Sequence, residues 1–143
     1  MKLTKRIDVL QNAEGSFIEH LSHFCQEHLQ NILQREHISR LILRDLLEEG
    51  ETRSQQLAEQ VFGRNFAKFV EMVRLGQSCR ELRSDIDPAA LAVLLIATDV
   101  YYFQARSVLP HLADVDFAGQ PQRYCNKIMQ VLLQGILPSA SNK

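Results

Sequence analysis

Charge of neither sign dominates this sequence. Its 143 residues hold 16 lysines and arginines against 17 acidic residues, a net charge of −1 and a pI of about 6.5. No global positive field therefore draws the chain to nucleic acid or to an anionic membrane surface. Cysteine is scarce as well: Cys25, Cys79 and Cys125 are odd in number, far apart and without C-x-x-C spacing. They read as reduced, buried thiols of a cytoplasmic protein, not as a disulfide framework or a zinc site. The start lacks the apolar stretch of a signal peptide. No membrane span is expected either, because the unbroken apolar run from Ala89 to Ala97 is short and is soon interrupted by Asp99 and Arg106. Missing too are G-x-S-x-G, a Walker A loop, G-x-G-x-x-G and H-E-x-x-H, so no enzymatic constellation and no cofactor are implied. Internal repeats and alternating strand patterns are likewise not seen.

What remains is ordinary for one globular domain: 45% apolar and 23% charged residues, in a chain long enough to bury a core. The stretch from Arg83 to Leu112 organises it. Asp87-Pro88 is a helix start, with a carboxylate to cap free N–H groups and a proline whose φ is preset. Leu91, Leu94, Leu95, Thr98, Tyr102, Ala105 and Leu109 share one face of the helix it opens. Val93, Ala97, Val100, Tyr101 and Val108 lie roughly opposite. A helix apolar nearly all round is buried nearly all round, and a chain this small hardly covers both faces alone. One face is therefore assigned to the chain's own core and the other to a second copy.

In chain order, residues 1–13 read as a short basic helical segment with Leu3, Ile7 and Leu10 on one side, either a docking segment or the tail of a longer helix. Ser16-x-x-Glu19 is a capping box before an amphipathic helix carrying Phe17, Leu21, Phe24, Cys25, His28 and Ile32, to about Gln34. Glu36 and His37 mark a break. Ile38, Leu41, Ile42, Leu46 and Leu47 define the next helix, which Gly50 stops in the C′ position, where a left-handed φ is often required. Thr52-x-x-Gln55 opens a longer helix bearing Leu57, Val61, Phe62, Phe66, Phe69, Val70 and Val73. Gly63 inside it costs roughly 1 kcal/mol relative to Ala, which implies a close contact or a bend. Pro110 ends or kinks the organising helix, and residues 113–120 form a loop. Pro121 starts the last helix, with Tyr124, Ile128, Val131, Leu132 and Gly135 on one face. Gly135 there either admits a neighbouring helix or marks fraying. The tail 139–143 reads as disordered. The expected fold is all-α, an antiparallel bundle of five main helices plus a short N-terminal segment.

The run GQSCRELRSDIDPAALAVLLIATDVYYF, succeeded by a polar loop, a proline-started helix and LLQGI, resembles the C-terminal domain of tetracycline-repressor (TetR) family regulators. The preceding order of SFIEHLSHFCQEHL, HISRLILRDLLEEG and a long helix entered through QQLAEQVF is similar too, so that the resemblance covers about residues 14–137. It implies a ligand-binding and dimerisation domain over 14–138, dimerising through its two closing helices. The partners implied are a second copy and a small apolar or amphiphilic ligand; operator DNA enters only through an N-terminal helix-turn-helix. Nothing here corresponds to that reader, and residues 1–13 match at most the end of the connecting helix. The chain reads as a fragment of a full regulator, with a natural protein lacking its reader as the alternative. A stand-alone helical interaction module is the rival function.

Among candidate site residues, His20, His23 and Glu27 offer metal-ligand spacing on one helix, but no matching cluster accompanies them and no metal is expected. Asp99 is an acid inside an apolar helix and must be satisfied. Arg106 lies two turns on, so an ion pair is one reading and a polar anchor in a ligand pocket the other. Phe24, His28, Phe66, Phe69, Asp99, Tyr102 and Phe103 are the candidate pocket residues, with plain core the simpler role for the aromatics, Phe62 included. Val93, Ala97, Val100 and Tyr101, with Tyr124, Ile128, Val131, Leu132 and Gly135, are the candidate dimer interface.

Overall fold

Apolar positions three and four apart wind into helices throughout, and no strand forms among the described residues. The structure, a computed structural model, describes residues 17–48, 50–135 and 138. Helix α1 is Phe17–Gln34, α2 is Glu36–Glu48 and α3 is Glu51–Leu57. A π-helical turn, Ala58–Phe62, carries α3 into α4, Gly63–Ser78. Helix α5 is Pro88–Gln104, a 3-10 turn comes next at Leu109–His111, and α6 is Pro121–Gln134. The all-α expectation holds, and no described helix is long and apolar enough to cross a membrane. The readings placed on residues 1–16, including the Ser16 half of the capping box, and on residues 139–143 lie outside the described residues.

The helix ends show which local signals the chain obeys. Asp87 caps α5 as expected, its Oδ1 accepting from Ala89 N–H at 3.0 Å with Pro88 in the first turn. The start of α1 is capped from far along the chain: Phe17 N–H donates to Glu81 Oε2 at 2.7 Å. Three expectations need correction. Gly50 is not a left-handed stop; it is extended (φ −77°, ψ −171°) and serves as the N-cap of α3, a position glycine also tolerates. Thr52 consequently lies inside α3 and caps nothing. Helix α5 also ends before Pro110, at Gln104, and the next turn returns Leu109 to the core.

Gly63 does mark a bend, and its cause is visible. Its N–H bonds back five residues to the Ala58 carbonyl, closing the π turn. A Cβ here would lie 2.5 Å from that same oxygen, so only glycine fits. Gly76 answers a different demand, since a Cβ would stand 2.5 Å from the Phe17 ring and 2.9 Å from Leu82. It lets α4 close against the start of α1.

Helix α5 packs on α4 and α1, while α1 also carries α6 and α2. One core cluster gathers Leu21, Cys25, Phe69, Met72, Ala92, Leu95 and Met129. A second holds Leu29, Tyr102, Ala105, Leu109, Tyr124 and Cys125. Cys25 and Cys125 are buried thiols as expected, but Cys79 is exposed because it caps the end of α4. Burial pushes the Cys125 thiol up to about 12 and raises Cys25 as well, with Asp99 adding to both, so neither is a nucleophile at neutral pH. Helix α2 is the thinly held element, with no fully buried residue and with Ile38, Leu41, Leu46 and Leu47 exposed.

Candidate functional site

Helix α5 is apolar all round, so the packing of its neighbours alone decides which side of it turns inward. Ala92, Leu95, Asp99, Tyr102 and Phe103 are buried, while Val93, Leu94, Ala97 and Tyr101 face outward. This orientation drives a carboxylate into the core, where it needs a partner. The partner is His28 of α1, whose Nδ1 lies 2.7 Å from Asp99 Oδ2. The two side chains are only 10% and 3% exposed. Burial raises the Asp99 carboxyl above its ordinary value, and the His28 contact opposes that rise. Arg106, the partner suggested by spacing, is engaged elsewhere: it meets Glu36 at 3.1 Å and lies 4.5 Å over the Phe103 ring. The ion-pair reading of Asp99 with Arg106 is thus corrected. Helix α5 ends at Gln104, so Arg106 does not continue its register.

The imidazole of His28 stands edge-on to Phe69, with ring centroids 5.2 Å apart, and Phe69 stands edge-on to Phe24. With Nδ1 committed to Asp99, Nε2 is the ring's remaining polar atom. His28 forms part of the wall of a half-open cavity of about 230 Å3 between α1, α2, the π turn, the start of α4 and α5. From α1 come His28, Asn31 and Ile32, from the turn after it Arg35, and from α2 Ile38, Ser39, Ile42 and Leu43. The π turn and the start of α4 supply Val61, Phe62 and Asn65, and α5 supplies Ile96 and Val100. An apolar body with a few polar groups is the lining that small-molecule sites use. Among the described residues, no acidic side chain lines it.

On the far side of Leu43, Phe62, Ile96 and Val100, which belong to both walls, runs an open apolar groove of about 380 Å3. Its other walls are Leu46, Ala58, Gly63, Phe66, Val93 and Ala97. The π turn therefore separates two hollows. A larger open cleft, lined by Glu36, Arg40, Arg44, Glu48 and Arg106 among others, is a charged surface crossed by the Arg40–Glu36 and Arg44–Glu48 ion pairs.

The candidate pocket residues do not converge on one cavity. His28 lines the 230 Å3 cavity and Asp99 stands behind it. Phe66 lines the apolar groove, and Phe103 reaches the charged cleft. Phe69 is fully buried, Phe24 packs against it, and Tyr102 stacks on Tyr124 at 4.5 Å between centroids. Of the interface candidates, Val93, Ala97, Tyr101 and Val131 are exposed, while Val100, Ile128 and Leu132 are half-buried. Tyr124 turns inward, its hydroxyl donating to the Thr98 carbonyl. Gly135 ends α6 with φ +74°, and among the described residues nothing lies within 4 Å of a would-be Cβ, so there it terminates the helix and admits no described neighbour. His23 meets Glu27 at 3.3 Å, and no group of three or more metal-binding side chains forms among the described residues.

Asn31, Arg35, Ser39 and Asn65 were missed by sequence reasoning because polar residues on helices look solvated. The signal that could have found Asn65 was Gly63, which marks the π turn beside it. No family model, curated protein or solved structure matches the chain.

Proposed function

We infer that the chain is the effector-binding and homodimerisation domain of a TetR-like transcriptional regulator. The supporting observation is the double duty of α5. Its inner side brings Ile96, Val100 and, through His28, Asp99 to the 230 Å3 cavity. Its outer side carries Val93, Leu94, Ala97 and Tyr101, an exposed apolar stripe at helical spacing. A stripe of this kind suits a second copy related by a two-fold axis, with Val131 of α6 alongside. The resulting interface is of the obligate, apolar class, about 2,000 Å² or more.

Coupling arises from the shared wall. Phe62 and Val100 stand between the cavity and the groove that Val93 and Ala97 border. A ligand that displaces those side chains changes the surface presented to the partner and favours one dimer geometry over another. In a full regulator, that geometry sets the spacing of two DNA-reading domains. A stand-alone interaction module would need the stripe but not the cavity.

A reporter decides between them. The chain is fused to a DNA-binding domain that occupies its operator only when dimerised. Operator occupancy should require the chain, fail with Ala97→Glu, and shift when a cavity ligand is added. Occupancy that is indifferent to Ala97→Glu would contradict the dimerisation role. Occupancy that depends on dimerisation but never responds to any cavity ligand would favour the interaction module.

A further inference from the structure

We propose that the 230 Å3 cavity takes a small monocarboxylate with a hydrocarbon body, held by Arg35 and His28. The assignment rests on the effector-binding reading above and adds the chemistry of the ligand. It starts from the polar lining among the described residues: one arginine, one histidine, two asparagines and a serine, with no carboxylate. The serine is already occupied, Ser39 Oγ donating to the Ile32 carbonyl at 3.0 Å. Arg35 makes no ion pair among the described residues, and unlike Arg64, Arg74 and Arg80, which also make none, it lines this cavity. A cation left open at the rim of a cavity without acids selects an anion.

His28 supplies the second, independent observation. Its side chain is nine-tenths buried, and Asp99 fixes one ring nitrogen and hence the ring's orientation. Holding a carboxylate in a core is costly, and its return here is an imidazole whose Nε2 is oriented rather than free to turn. With Nδ1 held by Asp99, Nε2 is the ring atom left to hydrogen-bond the ligand's carboxyl group. Ile32, Ile42, Val61, Phe62, Ile96 and Val100 then surround the hydrocarbon. The size is set by the volume, which falls below the roughly 300–1,000 Å3 of cavities for drug-sized ligands. A chain of about eight carbons is the natural probe.

Isothermal titration of the full chain with octanoate, octanol and octylammonium tests the assignment, since the three share a tail and differ in head-group charge. Octanoate should bind at one site per chain, about tenfold tighter than octanol, with octylammonium weakest. Arg35→Gln, at an exposed position, should weaken octanoate about fivefold and leave octanol unchanged. Ile42→Trp, which fills the cavity, should abolish both. Octanoate binding no tighter than octanol, or unaffected by Arg35→Gln, overturns the carboxylate assignment. If octanol binding is then lost in Ile42→Trp, the effector-binding reading survives that failure. If none of the three binds while the reporter fusion still requires dimerisation, the carboxylate assignment and the sensing half of that reading fall together.

Discussion

Replacing His28 with leucine isolates what the buried pair contributes. The variant leaves Asp99, 2% exposed, without its partner. Removing the partner of a buried carboxylate costs about 3–5 kcal/mol, since the charge left behind is desolvated and unpaired. Against the ~5–15 kcal/mol that holds a typical domain together, this is a large share. At about 3 °C per kcal/mol for a chain near this length, Tm should fall by about 10–15 °C. The loss should depend on pH in a defined direction. Burial raises the Asp99 carboxyl above its ordinary 3.8, and without His28 nothing opposes that rise. A carboxyl with a raised folded-state pKa contributes its stability at low pH and loses it as pH climbs through that pKa. The deficit of His28→Leu relative to wild type should therefore be greatest at neutral pH and shrink as pH falls and Asp99 takes up a proton. The double variant His28→Leu/Asp99→Asn buries no charge and should recover at least half the loss. Urea unfolding monitored by circular dichroism at several pH values measures all three. A His28→Leu deficit under about 1 kcal/mol, or one that grows as pH falls, refutes the account of the pair.

Gly63→Ala should destabilise by about 1–3 kcal/mol, because the added methyl meets the Ala58 carbonyl oxygen at 2.5 Å. An ordinary helix interior gains about 1 kcal/mol from the same change, so the sign alone decides whether the π turn is present in solution. Phe69→Ala should cost about 3–5 kcal/mol as a solid-core truncation, read by the same unfolding assay. Residues 1–143 alone should give no sequence-specific, salt-sensitive gel shift, in keeping with the net charge of −1.

How much of this was legible in the sequence depends on the range of the signal. Helix existence was readable from three-four spacing, and the Asp87-Pro88 start from a cap and a proline adjacent in the chain. Gly50 misled because glycine suits either end of a helix, and here it precedes α3 instead of stopping α2 in the left-handed region. The orientation of α5 was only half readable. With apolar residues on every side, its own pattern carried no preference, and Leu94 turns outward although helical spacing groups it with Leu95. Asp99 was recognisable as a residue needing a partner. Its partner was not, because His28 lies 71 positions away and only the packing of α1 on α5 joins them. The cavity was hidden for the same reason: its wall draws single turns from α1, α2, the π turn and α5, none of which looks unusual alone.

The central claim is that the outer side of α5 is a seam between two copies, and sedimentation of the unmodified chain beside Ala97→Glu tests it directly. At micromolar concentration the chain should sediment as a dimer. The variant should be monomeric yet keep its helical circular dichroism, since Ala97 is exposed within one copy and a glutamate there is buried only by the partner. A charge so placed costs on the order of several kcal/mol, enough to dissociate the pair at that concentration. A wild-type chain that sediments as a monomer, or an Ala97→Glu chain that remains fully dimeric, contradicts the account.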